Sequence, residues 1–209
     1  MRNGRYIVRN TKSRDKVSRK NQKKYHAVVM GASAGGLDVL SMILPALRAE
    51  LPVPVMVVLH ISPHSDSFLV TYLDQMSKVK VVEAADKAMM EPGKVYFAPP
   101  DYHLMAERDG SLSLSNEEKV NYSRPSIDVL FETALWVFGS GLIGVLLTGA
   151  NWDGAKGMEL IHKKGGYTII QDPATASMPR MPEAAMEKFM PDAILRAEDI
   201  GQAINKLLL

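Results

Sequence analysis

The sequence predicts an α/β protein with a doubly wound, mostly parallel sheet covered by helices on both faces. Short, continuous apolar segments alternate with segments whose apolar residues recur at helical spacing, a pattern typical of parallel strands buried on both faces. The length of 209 residues and the 46% hydrophobic content fit one such domain. An Asp109-Gly110 turn between residues 102–107 and 111–115 predicts one antiparallel hairpin at a sheet edge.

The strands and helices are predicted from this alternation in chain order. Buried strands are predicted at residues 27–30, 53–59, 79–83, 94–98, 142–148 and 167–171. Helices are predicted after the first strand, within residues 63–76, and at residues 127–138, 156–163, 182–189 and 200–208. Ser126 precedes the third of these helices and is its predicted N-cap, since serine is favoured at that position.

The turn after the first strand is the most informative stretch. It reads Gly31-Ala32-Ser33-Ala34-Gly35-Gly36, so Ser33 lies in a glycine-rich turn between a strand and a helix. G-x-S-x-G at such a turn is the pattern of a nucleophile elbow. Two other interpretations stay open for this turn alone: a serine that caps the helix, and a dinucleotide-binding loop whose middle glycine is replaced.

Three polar residues, Ser33, His60 and Asp153, directly follow or closely follow three predicted strands. Ligands of open α/β sheets bind beyond the carboxyl ends of the strands, so these side chains converge if their strands are neighbours. A nucleophile, a base and an orienting carboxylate are what acyl transfer needs. The order Ser, His, Asp differs from that of the α/β-hydrolases. A structural histidine and a helix-capping Asp153 are the alternatives.

The dinucleotide interpretation is weakened by the second strand. A dinucleotide site expects an acidic residue at the end of that strand, to bind the ribose, and this one ends in His60.

Composition narrows the class of protein further. The sequence has no cysteine and therefore no disulfide framework. It also has no apolar run of about 18 residues, as a membrane span needs, and no apolar core of a signal peptide. A cytoplasmic protein with no membrane insertion is therefore expected. Ten of the 25 lysines and arginines lie in residues 1–24, which predicts a flexible basic arm ahead of a domain at 25–209. A basic arm can dock on nucleic acid, lipid headgroups or an acidic protein, or it can be a solvated terminus with no partner. Of these partners, nucleic acid is not expected.

Several motifs in order closely resemble the catalytic domain of the bacterial chemotaxis protein-glutamate methylesterases. The resemblance covers residues 25–209 and rests on the glycine turn around Ser33, on Leu59-His60, on the segment Arg124-Pro125-Ser126-Ile127-Asp128-Val129-Leu130-Phe131, and on Leu147-Thr148-Gly149-Ala150-Asn151-Trp152-Asp153-Gly154.

The resemblance implies hydrolysis of glutamate γ-methyl esters on the cytoplasmic helices of chemoreceptors, with release of methanol, and deamidation of some receptor glutamines. It places the nucleophile at Ser33, the histidine at His60 and the aspartate at Asp153, and it implies no metal or organic cofactor. Backbone N–H groups at Ala34 and Ala150 are the candidates for the oxyanion hole. The alternative function is a non-enzymatic module that binds a receptor or signalling protein with the same fold.

The sequence also departs from the family pattern. Ala34 follows the nucleophile where Thr or Ser is common, Ile61 replaces a usual Met after the histidine, and Ala150-Asn151 replaces Met-Gly before the aspartate. These changes predict altered specificity or rate, and loss of activity is the alternative. The basic arm stands where a receiver domain usually lies, so an active site open without phosphorylation is expected. Arg124 is expected to pair with an acidic group of the substrate or with Asp128, and the second, structural interpretation is favoured.

Overall fold

The computed structural model describes residues 24–60 and 68–209. Seven parallel strands form the main sheet: β1 (Ala27–Ala32), β2 (Val55–Leu59), β3 (Lys80–Glu83), β4 (Lys94–Phe97), β7 (Leu142–Leu146), β8 (Tyr167–Gln171) and β9 (Ala193–Leu195). Their order across the sheet is β3-β4-β2-β1-β7-β8-β9. The chain therefore builds the half on one side of β1 first, with β4 inserted between β2 and β3, and then builds the other half outward from β7. This confirms the predicted doubly wound sheet.

Helices cover both faces of the sheet. They are α1 (Gly36–Ala46), α2 (Phe68–Met76), α3 (Ile127–Phe138), α4 (Ala155–Lys163), α5 (Arg180–Met186) and α6 (Ala197–Leu207). The side chains of β1 alternate between two cores: Val28 and Met30 pack with α1 and α6, whereas Ala27 and Val29 pack with α3, α4 and α5. Because both faces of the central strand are buried, its sequence is continuously apolar.

The predicted hairpin is present, but it is not an edge of the main sheet. Strands β5 (His103–Ala106) and β6 (Leu112–Ser115) pair antiparallel as a separate two-stranded sheet. Leu104 and Leu112 are fully buried in the same core as Leu130 and Phe131 of α3. The hairpin thus gains its stability by packing on a helix, which a prediction from turn residues does not reveal.

One strand was missing from the sequence prediction. Strand β9 has three residues, and Ile194 at its centre is 42% exposed, so no apolar run signals it. Its pairing with β8 fixes it at the edge.

Two stretches of the sequence prediction lie outside the described residues. One is the basic arm, of which residues 1–23 are not described, and the other is the loop that contains Ile61 and His64. No helix within residues 24–60 and 68–209 has the length and apolar character needed to cross a membrane.

Candidate active site

Ser33, His60 and Asp153 follow three strands that are neighbours in the sheet, β1, β2 and β7. The N–H of His60 donates to the Ala32 carbonyl (3.0 Å), and the N–H of Ser33 donates to the Thr148 carbonyl (2.9 Å). Ser33 is therefore fixed between the ends of β2 and β7. Helices α1 and α4, which follow β1 and β7, lie on opposite faces, so Ser33 stands at the switch point of the sheet, where α/β proteins bind ligands.

The turn that carries Ser33 requires its glycines. Gly35 has φ of 78°, and a Cβ there would lie 2.8 Å from the Cβ of Ser177. A Cβ on Gly36 would lie 2.7 Å from that of Ala32. The cap of α1 is Gly35, two residues beyond Ser33, so the interpretation of Ser33 as a helix cap is wrong. The predicted strand, turn and helix are confirmed.

The loops after β1 and β7 touch beside the serine. A Cβ on Gly149 would lie 3.0 Å from the Cβ of Ser33, so only a glycine lets the β7 loop pass this close. The N–H of Gly149 donates to the Met178 carbonyl (2.9 Å). Within the described part of the chain, the N–H groups of Ala34 and Ala150 donate to no protein acceptor. Both residues are exposed.

His60 and Asp153 form a hydrogen bond of 3.0 Å between Nε2 and Oδ2. The side chain of His60 is 12% exposed, and that of Asp153 is fully buried. Because a carboxylate can only accept, Nε2 carries the proton of the neutral ring and Nδ1 has the free lone pair. Among the described residues, the Ser33 hydroxyl makes no hydrogen bond to this ring. Such contacts are often long in a free enzyme and tighten when substrate binds.

Asp153 is held at the N-terminus of α3, a helix far from it in sequence. Its Oδ2 accepts from the N–H of Ile127 (2.6 Å), and its Oδ1 accepts from the N–H of Asp128 (3.2 Å). Ser126 occupies the N-cap position, as predicted, but its hydroxyl donates to Asp153 (2.9 Å) instead of capping the helix. Asp153 is therefore a helix cap as well as the partner of His60.

This setting keeps Asp153 ionised. Burial acts to raise the pKa of Asp153, but the hydrogen bonds that it accepts, led by those from His60 and Asn121, hold that pKa below its usual range. The positive end of the α3 dipole acts in the same direction. A permanently charged carboxylate is what a histidine base needs beside it.

A second buried carboxylate, Asp128, lies next to Asp153. Its Oδ1 accepts from the N–H of Gly157 (2.7 Å), and its Oδ2 accepts from the Asn121 amide (2.8 Å). Burial raises the pKa of Asp128 to about 6, and the charge of Asp153 adds to this effect, while the two hydrogen bonds oppose it.

The Asp128 carboxyl should make the stability of the protein depend on pH. Its folded pKa, about 6, lies above the ordinary value of 3.8, so the folded state binds the proton more tightly than the unfolded state. The contribution of Asp128 to the free energy of unfolding is fully present below about pH 4 and is lost as the pH rises through 6. We expect the unfolding free energy of the wild type, relative to Asp128→Asn, to fall by on the order of 2 kcal/mol between pH 4 and 7. Denaturant unfolding of both proteins measures this difference, and parallel pH curves would contradict it.

Arg124 does not pair with Asp128, contrary to the sequence prediction. Its Nε and Nη2 donate to Asp101 (3.0 and 2.8 Å), and its Nη1 donates to the carbonyls of Asn116 and Glu117 (2.7 and 2.8 Å). The guanidinium therefore fastens the loop before α3 and does not extend toward the buried carboxylates. This loop forms one wall of a cavity of about 210 Å³ that His60 also lines.

Three further histidines, His26, His103 and His162, lie outside the site within the described residues. His103 is buried, accepts from the N–H of Ser126 at Nδ1 (3.1 Å) and donates from Nε2 to the Glu118 carbonyl (3.0 Å). His26 is exposed, and His162 is partly exposed on α4. In the part of the chain that the structure describes, no group of three or more His, Asp or Glu side chains could hold a metal ion.

Two residues that support the site were missed by the sequence analysis. The hydroxyl of Thr148 donates to the Ala34 carbonyl (3.0 Å) and accepts from the N–H of Met178 (2.9 Å), so it fixes the peptide next to Ser33. Asn121 donates to Asp153 and Asp128. The position of Thr148 after an apolar strand could have marked it as a candidate site residue. Asn121 lies in a loop, where no sequence pattern marks it.

The departure at Asn151 does not obstruct the serine. Its Oδ1 accepts from the N–H of Asp153 (3.1 Å), so this side chain stabilises its own turn.

The fold and these residues define a class of protein: a doubly wound α/β domain with a serine, a histidine and a buried carboxylate arranged at its switch point, the set of groups that serine hydrolases use. The chain belongs to the CheB methylesterase family, whose model matches residues 28–204.

Individual relatives agree with this assignment. A protein of Leptospira interrogans, provisionally named a protein-glutamate methylesterase/protein-glutamine glutaminase, is 45% identical over 183 residues, which are 88% of this chain and 95% of the relative. A protein of Symbiobacterium thermophilum with that name is 37% identical over 179 residues, and these are 86% of this chain but 49% of the relative. The chain thus spans nearly all of one relative and about half of the other.

A solved structure confirms the fold. The crystal structure of the CheB methylesterase catalytic domain of Thermotoga maritima matches with a TM-score of 0.84 and 34% identity, over 88% of this chain and all of the other.

Proposed function

We propose that this protein hydrolyses γ-methyl esters of glutamate on the cytoplasmic helices of chemoreceptors, with release of methanol, and that it deamidates receptor glutamines by the same route. The names of its relatives support this substrate class. The observation that carries the proposal is the bond from His60 Nε2 to the buried Asp153 Oδ2, beside the end of the strand that presents Ser33.

In the first half of the reaction, Ser33 Oγ attacks the ester carbonyl while Nδ1 of His60 takes the hydroxyl proton. Nδ1 has this role because Nε2 is committed to Asp153. The carbonyl oxygen becomes an oxyanion, which the N–H groups of Ala34 and Ala150 stabilise. His60 then returns the proton to the departing methoxide, so methanol leaves and an acyl ester remains on Ser33.

In the second half, water attacks the acyl ester and gives its proton to His60. Collapse of the second tetrahedral intermediate breaks the bond from the acyl carbon to Ser33 Oγ, which takes the proton from His60. The glutamate side chain leaves as a carboxylic acid, which ionises in water. For a glutamine substrate the steps are the same, and ammonia takes the place of methanol. The carboxylate of Asp153 stabilises the imidazolium in both halves and fixes the tautomer.

Methanol release from methylated receptor membranes tests the function directly. The purified chain should release methanol in proportion to time and enzyme. A protein that only binds receptors through the same surface would co-sediment with the membranes and release none, and that result would favour the non-enzymatic alternative.

Asp153→Asn should lower kcat by roughly 100- to 10,000-fold, less than loss of the nucleophile does in triad enzymes. The amide keeps the shape of the side chain, but it cannot act as an anion and presents donors to the N–H groups of α3. The melting temperature should therefore fall as well. Single-turnover kinetics and thermal unfolding on one preparation separate the two effects, and an unchanged kcat would exclude Asp153 from the machinery.

A further inference from the structure

The Asn121 side chain joins the two buried carboxylates. Its Nδ2 donates to Asp153 Oδ1 (2.8 Å) and to Asp128 Oδ2 (2.8 Å). The orientation of the amide follows from chemistry, because its oxygen would be repelled by both carboxylates, whereas its two hydrogens serve one acceptor each.

The backbone at this point is in an uncommon conformation. Asn121 and Tyr122 have φ of 51° and 62°, both in the left-handed region, which is costly for a bulky residue such as tyrosine. The loop is held there by neighbours that are already bonded: Arg124 binds the carbonyls of Asn116 and Glu117, and His103 binds that of Glu118. These contacts thus hold the backbone in its unfavourable conformation, which brings the Asn121 amide to the two carboxylates.

We propose that Asn121 is a positioning residue of the active site, whose amide holds Asp128 and Asp153 side by side and keeps Oδ2 of Asp153 directed at His60. The inference rests on the proposed function. Asn121 touches no reacting atom. It acts through Asp153, which it leaves free to accept from Nε2 of His60.

The charges around the pair explain why a shared donor is needed. Two acidic residues act on Asp128: Asp153, which lies in the loop after β7, and Glu132, which lies on the same helix as Asp128. Lys156 of α4 also interacts with Asp128, but its Nζ is paired with Glu132 (2.9 Å). Without the amide, two buried carboxylates would face each other, and one of them would take up a proton. The two carboxylates would then bind protons at a higher pH.

Asn121→Asp is the decisive variant. It preserves the size of the side chain and its tolerance of the left-handed region, but replaces both donors by a third carboxyl group. We expect kcat/KM to fall roughly 10- to 100-fold, and the acid limb of its pH profile to move to higher pH. Asn116→Asp is the matched control, since the Asn116 side chain is exposed and Arg124 uses its carbonyl. It should leave both the rate and the pH profile unchanged.

A second readout does not depend on substrate. ¹⁵N chemical shifts of the His60 ring report its tautomer, and we expect Nε2–H in the wild type and a mixture in Asn121→Asp. If Asn121→Asp does not fold, Asn121→Gly, which accepts positive φ, takes its place. Wild-type rate, pH profile and tautomer in the variant would overturn the proposal, as would a lower rate with both other readouts unchanged. A changed tautomer in a protein whose wild type releases no methanol would instead support the positioning role and refute the esterase.

Discussion

Replacing Ser33 by alanine is expected to abolish ester hydrolysis and to leave the fold intact. The substitution removes one oxygen, which makes no hydrogen bond to the described residues, while the backbone bonds of Ser33 to Thr148 and Gly36 are kept. Loss of a serine nucleophile lowers kcat by about a million-fold in a comparable hydrolase. Methanol release and thermal unfolding of the same preparation measure the two parts of this prediction.

Ser41→Ala is a suitable control, because it makes the same chemical change on the helix that follows. The Ser41 hydroxyl donates to the Leu37 carbonyl (2.8 Å) inside α1 and has no role in the proposed chemistry. It should retain wild-type turnover. If Ser33→Ala retained it as well, the nucleophile would have to be another residue.

Replacing His60 by alanine should lower turnover nearly as much, because Ser33 would then lack a base and the departing methoxide an acid. The variant also leaves the buried Asp153 without one of its donors, so we expect a loss of about 1–3 kcal/mol of stability. Turnover and denaturant unfolding measure these effects separately.

The double variant Ser33→Ala with His60→Ala distinguishes a joint role from two independent ones. Residues that act as a unit are strongly non-additive, so the second substitution should cost almost nothing beyond the first. Additive losses would show that His60 does not act on Ser33. His162→Ala, on a partly exposed histidine of α4, should leave turnover unchanged.

The candidate triad could be predicted from the sequence because the positions of Ser33, His60 and Asp153 after strands are a local property of the chain. In a parallel sheet the carboxyl ends of all strands lie on the same side, so the residues that follow the strands lie on that side too. The sequence does not contain the strand order. The adjacency of β2, β1 and β7, which brings the three residues together, is established by the structure.

What could not be predicted depends on contacts between distant loops. Asp153 caps a helix that begins 26 positions earlier in the chain, and no local pattern signals such a cap. Arg124 pairs with Asp101 and not with Asp128, because α3 directs Asp128 into the core while the loop before it passes the hairpin. Asn121 lies in a loop segment without helical or strand periodicity. Its role follows only from its contacts with Asp128 and Asp153 in the folded structure.

The central claim is that Ser33 is a nucleophile activated by His60, and covalent labelling tests it most directly. The protein is first labelled with a serine-directed fluorophosphonate reagent and then digested with trypsin. Mass spectrometry should find the label on the peptide of residues 25–48, which contains Ser33 and Ser41. Fragmentation should place the adduct on Ser33 in the wild type and find none in His60→Ala. Labelling of Ser41 or of another peptide, with Ser33 unmodified in a preparation that releases methanol, would contradict the claim.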